Sequence, residues 1–209
     1  MNLKQKRVYF LKIFKKAEKK YKNNLKRLAA EGWEHDWQVL ISTIMSAQSK
    51  DETTITIAED LFKKYKTLKD LSAANYNDVL FIFKSLNYNK TKAKNVINAA
   101  KFLVEYYKSI IPDSIEKLVE IPGVGRKTAN LVISEVHNKD GICVDTHVNR
   151  LSNVLGFVKT KTPHQTELEL MKIVHKKCWS KINRIFVLWG KEVPGRDKKK
   201  LLDKINQKL

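Results

Sequence analysis

The sequence predicts an all-α protein, and three features support this fold class. Apolar residues recur every three or four positions along most of the chain, which is the spacing of one face of a helix. No stretch shows the strict apolar–polar alternation of a half-buried strand. Helix-starting residues precede several periodic stretches: Thr162, followed by Pro163 and Gln165, has the pattern of a capping box with proline at the first helical position.

The predicted helices follow the apolar stripes in order. The stripe of the first helix consists of Val8, Leu11, Phe14, Ala17, Tyr21, Leu25 and Leu28. The second stripe consists of Trp37, Leu40, Ile41, Ile44 and Met45. We expect Asp51 to cap the third helix, and a C-terminal amphipathic helix to use Leu201, Leu202, Ile205 and Leu209. Further helices are predicted near 77–86, 92–107, 114–120, 125–137, 146–155, 163–179 and 182–189.

The composition limits the classes of partner. The chain of 209 residues carries 41 Lys and Arg against 22 Asp and Glu, a formal charge of +19 that suits a polyanion such as nucleic acid. Since only six of the basic residues are Arg, a solvated lysine surface explains the charge equally well. No apolar run approaches the roughly 20 residues that span a bilayer, and no secretory signal is evident. We therefore expect an intracellular protein without a membrane partner.

The stretch EIPGVGRKTANL, residues 120–131, interrupts a predicted helix and at once starts another. Gly123, Val124 and Gly125 form a turn, and the helix that follows presents its first amides as an anion site. A tight turn that binds nothing explains the pattern about as well. Nucleotide-binding motifs fit poorly, because Thr128 stands where a dinucleotide fingerprint needs glycine, and Arg126 stands where a P-loop needs glycine.

Four segments together resemble one protein family. The string LxxIPGVGRKTAN resembles the helix-hairpin-helix of the endonuclease III family of DNA glycosylases. Eighteen residues after Lys127, VDTHVNRL contains Asp145 and resembles the catalytic aspartate segment of that family. SAQSKDE, residues 46–52, resembles its DNA-probing turn, and LNYNKTKAKNV resembles a second minor-groove loop. The resemblance is colinear from about residue 1 to 192.

The resemblance implies the HhH-GPD fold of two helical lobes with the active site in the cleft between them. Residues 29–139 would form a six-helix barrel ending in the hairpin, and residues 1–28 and 140–209 would form the second domain. The implied function is that of a bifunctional DNA glycosylase and AP lyase of base excision repair. It would remove oxidised pyrimidines from double-stranded DNA, cleave 3′ to the abasic site by β-elimination, and act as a monomer.

The catalytic residues implied by the family are Lys127 as the nucleophile and Asp145 as its acidic partner. Partial burial, the helix dipole and Arg126 are expected to disfavour the ammonium form of Lys127. Asp145 is also a good N-cap, which is a sufficient structural reason for an aspartate there. The implied DNA-binding residues are Gly123, Val124, Gly125, Arg126, Thr128, Gln48 and Tyr88.

Gln48 and Tyr88 each have a second interpretation. Gln48 stands where the family places a glutamine that fills the hole left by a flipped base, but it would also suit an exposed helix end. Tyr88 stands near the family's aliphatic wedge, with Leu86 close by, but it would also suit the protein core.

The chain departs from the family at its C-terminus. Most members hold a 4Fe-4S cluster with four cysteines there, whereas this chain has only Cys143 and Cys178. We therefore expect no cluster, no other metal and no cofactor.

Other functions are compatible with the same motifs. A non-catalytic DNA-binding scaffold would keep the hairpin alone, and a related glycosylase would act on 8-oxoguanine or a mismatch. An adenine glycosylase is disfavoured, because Ile44 stands where those enzymes carry glutamate.

Overall fold

The computed structural model describes residues 1–137, 139 and 141–207, and in these residues the protein is helical without strands. Two 3-10 turns, Phe83–Ser85 and Lys176–Cys178, accompany twelve α-helices in that part of the chain. The helices are α1 Leu3–Tyr21, α2 Asp36–Ser46, α3 Asp51–Lys64, α4 Leu68–Ser72, α5 Tyr76–Ile82, α6 Asn89–Tyr107, α7 Ile115–Leu118, α8 Arg126–Glu135, α9 Thr146–Val154, α10 Pro163–Ile173, α11 Trp179–Glu192 and α12 Lys198–Asn206. None of the described helices is both long and apolar enough to cross a membrane.

The chain divides into two compact units. Unit 1 consists of residues 1–26 and 139–209, and unit 2 of residues 27–138. Helices α1 and α9–α12 therefore belong to unit 1, and α2–α8 belong to unit 2. The assignment of unit 2 to a six-helix barrel stays a prediction.

The core of unit 2 is built around α2. The second stripe is buried as predicted, and Leu40, Ile41 and Met45 have no exposed surface. These side chains belong to one apolar cluster with residues of α3 and α6, among them Leu61 and Leu103. Burying such side chains stabilises the unit by about 1.5–3 kcal/mol each.

The buried face of α1 in unit 1 differs from the predicted stripe. Phe14, Ala17 and Tyr21 are buried as predicted, but Val8, Leu11 and Leu25 are 64%, 38% and 98% exposed, so these three predictions of core positions are wrong. The helix also buries Phe10, which packs with Phe14 against Phe186 of α11, with ring centroids 6.4 and 6.3 Å from that of Phe186. Aromatic side chains bury more apolar area than valine or leucine, so they determine which face of α1 is inside.

Several helix ends also differ from prediction. Lys50 is the N-cap of α3, and Asp51 lies in the first turn, where its Oδ1 accepts a hydrogen bond from the Ala29 amide at 3.2 Å. Helix α10 starts with the predicted capping box but ends at Ile173. In α12, Leu201 and Ile205 are buried as predicted, while Leu209 lies outside the described residues.

Hydrogen bonds fix the C-terminal segment of unit 1 to earlier helices. The Arg150 guanidinium of α9 donates to the carbonyls of Gly190 at 2.8 Å and Val193 at 3.1 Å, and to that of Gly195. These bonds satisfy carbonyls in the last turn of α11 and just beyond it. Carbonyls at the C-terminal end of a helix have no partner within that helix. Glu192 accepts from Tyr21 of α1 and pairs with Lys204 of α12 at 2.6 Å.

Candidate active site

The hairpin of unit 2 consists of α7, a tight turn and α8. The amide of Ile121 donates to Leu118 O at 3.2 Å, and the amide of Val124 donates to Ile121 O at 3.0 Å, which closes the turn. The Ala129 amide then donates to Gly125 O at 2.9 Å, the first helical bond of α8. Val124 is only 6% exposed, so its side chain packs into the core of unit 2 and only its backbone is available to a ligand.

Gly123 is required by the fold of the turn. Its φ is +82°, a conformation that side chains disfavour. A Cβ at this position would also lie 2.8 Å from Cβ of Asn95 in α6. The turn is therefore packed directly against α6, and only glycine fits between them.

Gly125 is not required by the fold in the same way. Its φ is −93°, which any residue adopts, and a Cβ there would meet no protein atom within 4 Å. It is the N-cap of α8 and contributes no side-chain cap. The first amides of a helix have no carbonyl partners within that helix, and its N-terminus attracts anions. A missing side chain at this point therefore leaves room for a ligand to approach the backbone.

The two glycines are expected to respond differently to substitution. Gly123→Ala should lower the free energy of unfolding by about 1–2 kcal/mol through its left-handed backbone, with a further loss from the contact with Asn95. Gly125→Ala should change unfolding by less than about 0.5 kcal/mol but weaken binding to a duplex with an abasic-site analogue. Thermal unfolding and binding titrations of both variants test this pair. Unchanged DNA affinity in Gly125→Ala would contradict a role for that turn in DNA binding.

Lys127 is the second residue of α8 and is exposed, as is Arg126 before it. The expected partial burial of Lys127 is therefore wrong for this structure. Its position in the first turn of α8 is as predicted. Thr128 follows and is half-buried.

Asp145 of unit 1 is the N-cap of α9. Its Oδ1 accepts a hydrogen bond from the Val148 amide at 2.8 Å, and the residue is half-buried. Helix α9 is itself packed tightly on α11, since a Cβ on Gly190 would lie 2.5 Å from Nδ1 of His147. The capping role and the close helix contact hold the Asp145 carboxylate in a defined position.

Gln48 and Tyr88 lie at two neighbouring turns of unit 2. Both have left-handed backbones, with φ of +54° and +56°, and both are exposed. The Asn87 side-chain amide donates to Gln48 O at 2.6 Å, which joins the turns. Tyr88 is 65% exposed, so the alternative that it belongs to the core is wrong, whereas Leu86 is 4% exposed and is a core residue.

The N-terminal half of α6 adjoins both the Tyr88 turn and the hairpin. Tyr88 is the N-cap of α6, and Asn95 of the same helix faces Gly123. The two positions are seven residues apart, about 10 Å along the helix axis. Unit 2 therefore brings the Gln48 turn, the Tyr88 turn and the hairpin together around one helix. Asp145 belongs to unit 1.

The cysteines do not fit a four-thiolate cluster. Cys143 and Cys178 are buried, 2% and 7% exposed, and neither forms a disulfide. Within residues 1–137, 139 and 141–207, no group of three or more His, Cys, Asp or Glu side chains is placed to hold a metal ion. A 4Fe-4S cluster needs four ligands of the cysteine type, and the whole chain has two.

Comparison with known proteins identifies the family. The profile of the HhH-GPD superfamily base excision DNA repair proteins matches residues 41–176. Endonuclease III of Thermotoga maritima is 40% identical over 157 residues, which cover 75% of this chain and 74% of that protein. Endonuclease III of Buchnera aphidicola subsp. Schizaphis graminum is 34% identical over 190 residues, covering 91% and 88% of the two chains.

Solved structures agree with the sequence relatives. A structure described as a trapped endonuclease III–DNA covalent intermediate, in an estranged-adenine complex, matches with a TM-score of 0.83 at 28% identity. The match covers 92% of this chain and 87% of the other. The predicted all-α fold and the predicted resemblance are thereby confirmed, and this chain belongs to the endonuclease III family within the HhH-GPD superfamily of base excision DNA repair proteins.

Proposed function

We propose that this DNA glycosylase and AP lyase of base excision repair uses Lys127 as its nucleophile and acts on oxidised pyrimidines in duplex DNA. The observation that carries the proposal is the position of Lys127. It is an exposed amine in the first turn of α8, two residues after Gly125, beside which a ligand has room to approach. Family membership supports the reaction class, since the relatives are endonuclease III proteins.

The chemistry begins when the neutral amine of Lys127 attacks C1′ of the damaged nucleotide. The C1′–N bond to the base breaks, and the base leaves with one of the two amine protons. The C1′–O4′ bond then breaks and O4′ takes the other amine proton, which opens the sugar ring and gives a Schiff base at C1′. Removal of a proton from C2′ breaks the C3′–O3′ bond, which is β-elimination, and water finally releases the lysine. The trapped covalent intermediate known for a structural relative supports a covalent step of this kind.

Asp145 is proposed to stabilise the positive charge that develops on the sugar and to assist the proton transfers. Its hydrogen bond to the Val148 amide leaves the second carboxylate oxygen for this purpose and fixes the orientation of the group. Capping and catalysis are therefore compatible roles for one aspartate.

The hairpin and the two exposed turns are proposed to bind the DNA. Backbone amides at Gly125 and Arg126 would hold a phosphate, and Thr128 would support the same strand. The flipped base leaves a gap in the stack, at a cost of a few kcal/mol. Gln48 would hydrogen-bond the orphaned partner base, and Tyr88, which is exposed, would stack in the gap.

We further propose that the protein works without a 4Fe-4S cluster, as an intracellular enzyme located with the DNA. In the part of the chain where the family holds its cluster, hydrogen bonds from Arg150 and the buried side chains of α12 support the backbone. We infer that this packing and hydrogen bonding stabilise the C-terminal segment without metal ligands.

A lesion panel tests the substrate class. Duplexes with thymine glycol, dihydrouracil, 8-oxoguanine, a G·T mismatch or an abasic site are incubated with the protein, and base release and strand cleavage are followed separately. We expect release of the oxidised pyrimidines and cleavage at the abasic site. Preference for 8-oxoguanine or the mismatch would replace the proposed substrate. DNA binding without any reaction would instead indicate a non-catalytic scaffold.

A further inference from the structure

Lys92 is a buried lysine between the Gln48 and Tyr88 turns of unit 2. It is only 4% exposed, although lysine is among the residues least often buried. Its Nζ donates to Ser49 Oγ at 2.7 Å, and its backbone amide donates to Tyr88 O at 3.0 Å. The backbone bond is the first helical bond of α6, whose N-cap is Tyr88, and the side-chain bond joins this helix start to the Gln48 turn.

The environment of Lys92 makes its presence costly. Burial lowers the pKa of Lys92 to about 8, because the ammonium group loses contact with water. A hydroxyl is a weak partner for a buried charge, and apolar packing would suit this position better for stability alone. The group is therefore best explained by what its hydrogen bond holds in place.

The bond from Lys92 acts on the residue next to Gln48. Ser49 follows Gln48 in a turn where Gln48 has a left-handed backbone and Asn87 holds its carbonyl. Non-glycine residues in this conformation are strained and persist only where the surroundings hold them. Tyr88, the N-cap of α6, is in the same conformation, and its carbonyl accepts the first helical bond of that helix. The Lys92 side chain thus ties the Gln48 turn to the start of α6, and the Asn87 side chain forms a second link between the two turns.

We propose that Lys92 is a positioning residue that fixes the Gln48 turn against the Tyr88 turn, so that the two side chains enter the DNA stack together. The inference rests on the proposed roles of Gln48 and Tyr88 in filling the gap left by the flipped base. It assigns Lys92 to base extrusion and not to bond cleavage, because its amine is buried and donates to Ser49.

The variant Lys92→Met keeps the length and apolar part of the side chain and removes the donor. We expect removal of thymine glycol from paired duplex to fall by about 10- to 100-fold, the size of effect that a misplacement of about 1 Å produces. Cleavage at a preformed abasic site should change by less than about threefold, because no base has to leave the stack. Lys101→Met, an exposed position on the same helix, is the matched control and should match the wild type.

A double-mutant cycle separates positioning from a general loss of structure. In a Gln48→Ala, Tyr88→Ala background, Lys92→Met should cost less than about threefold, because the side chains that it positions are gone. Ser49→Ala removes the acceptor and should show the same selective loss if Lys92→Met fails to fold. Equal losses on paired and abasic duplexes, or an undiminished effect of Lys92→Met in that background, would overturn the inference. A wild type without any glycosylase or lyase reaction would overturn the proposed function instead.

Discussion

Replacing Lys127 by glutamine is expected to abolish both base removal and strand cleavage, with a loss of about 10³-fold or more, as is usual when a nucleophile is removed. Glutamine keeps the length and polarity of the side chain, but its amide nitrogen does not attack C1′. Because Lys127 is exposed in the first turn of α8, the substitution leaves the core of unit 2 unchanged, and the free energy of unfolding should change by less than about 1 kcal/mol. DNA binding should fall only by the contribution of one cation.

Strand cleavage of a thymine glycol duplex under single-turnover conditions measures the effect. Lys101→Gln removes one exposed lysine from α6 in the same unit and serves as the control for charge. Wild-type rates in Lys127→Gln would show that another group is the nucleophile, and the proposed mechanism would then be wrong.

Asp145→Asn is the substitution with the second largest expected effect. Asparagine caps helices about as well as aspartate, so the bond to the Val148 amide and the stability of α9 should be retained. The negative charge is lost, and base removal should fall by about 100-fold or more, the cost of removing one group aimed at developing charge. Asp145→Ala should add a loss of stability of about 1 kcal/mol, because the cap is then also removed.

Asp197 provides a matched control, since it is the N-cap of α12 in the same unit and accepts from the Lys200 amide at 3.0 Å. Asp197→Asn should leave both stability and activity unchanged. Wild-type activity in Asp145→Asn, together with destabilisation in Asp145→Ala, would limit Asp145 to its structural role.

The parts of the structure that were predictable are those encoded by local patterns. The N-cap at Asp145 and the capping box at Thr162 and Gln165 depend on side chains within three residues of the backbone that they bind, so the sequence displays them directly. The glycines of the hairpin were visible for the same reason. The sequence could not distinguish their roles, because the contact of Gly123 with Asn95 joins segments that are distant in sequence.

The errors arose where tertiary contacts choose between local alternatives. On α1, several apolar stripes share the helical period, and packing of Phe10 against Phe186, beside the correctly predicted Phe14, leaves Val8 and Leu11 exposed. Asp51 is a good cap by type, but the amide of Ala29 competes for its carboxylate.

The sequence does not reveal the contacts of Lys92, because lysine is usually exposed at the protein surface. It also does not reveal the left-handed backbones of Gln48 and Tyr88, because neither residue type is typical of that conformation. The asparagine-rich segment that contains Asn87 was the only available hint, and it indicates a turn without indicating its partner.

In the proposed mechanism, the amine of Lys127 forms the covalent bond to the sugar. The most direct measurement is borohydride trapping on a thymine glycol or abasic duplex, followed by proteolysis and mass spectrometry of the adduct. We predict that the reduced sugar adduct is found on the peptide that contains Lys127 and that no adduct forms in Lys127→Gln. An adduct mapped to any other amine, or cleavage of the strand without a trappable adduct, would contradict the account.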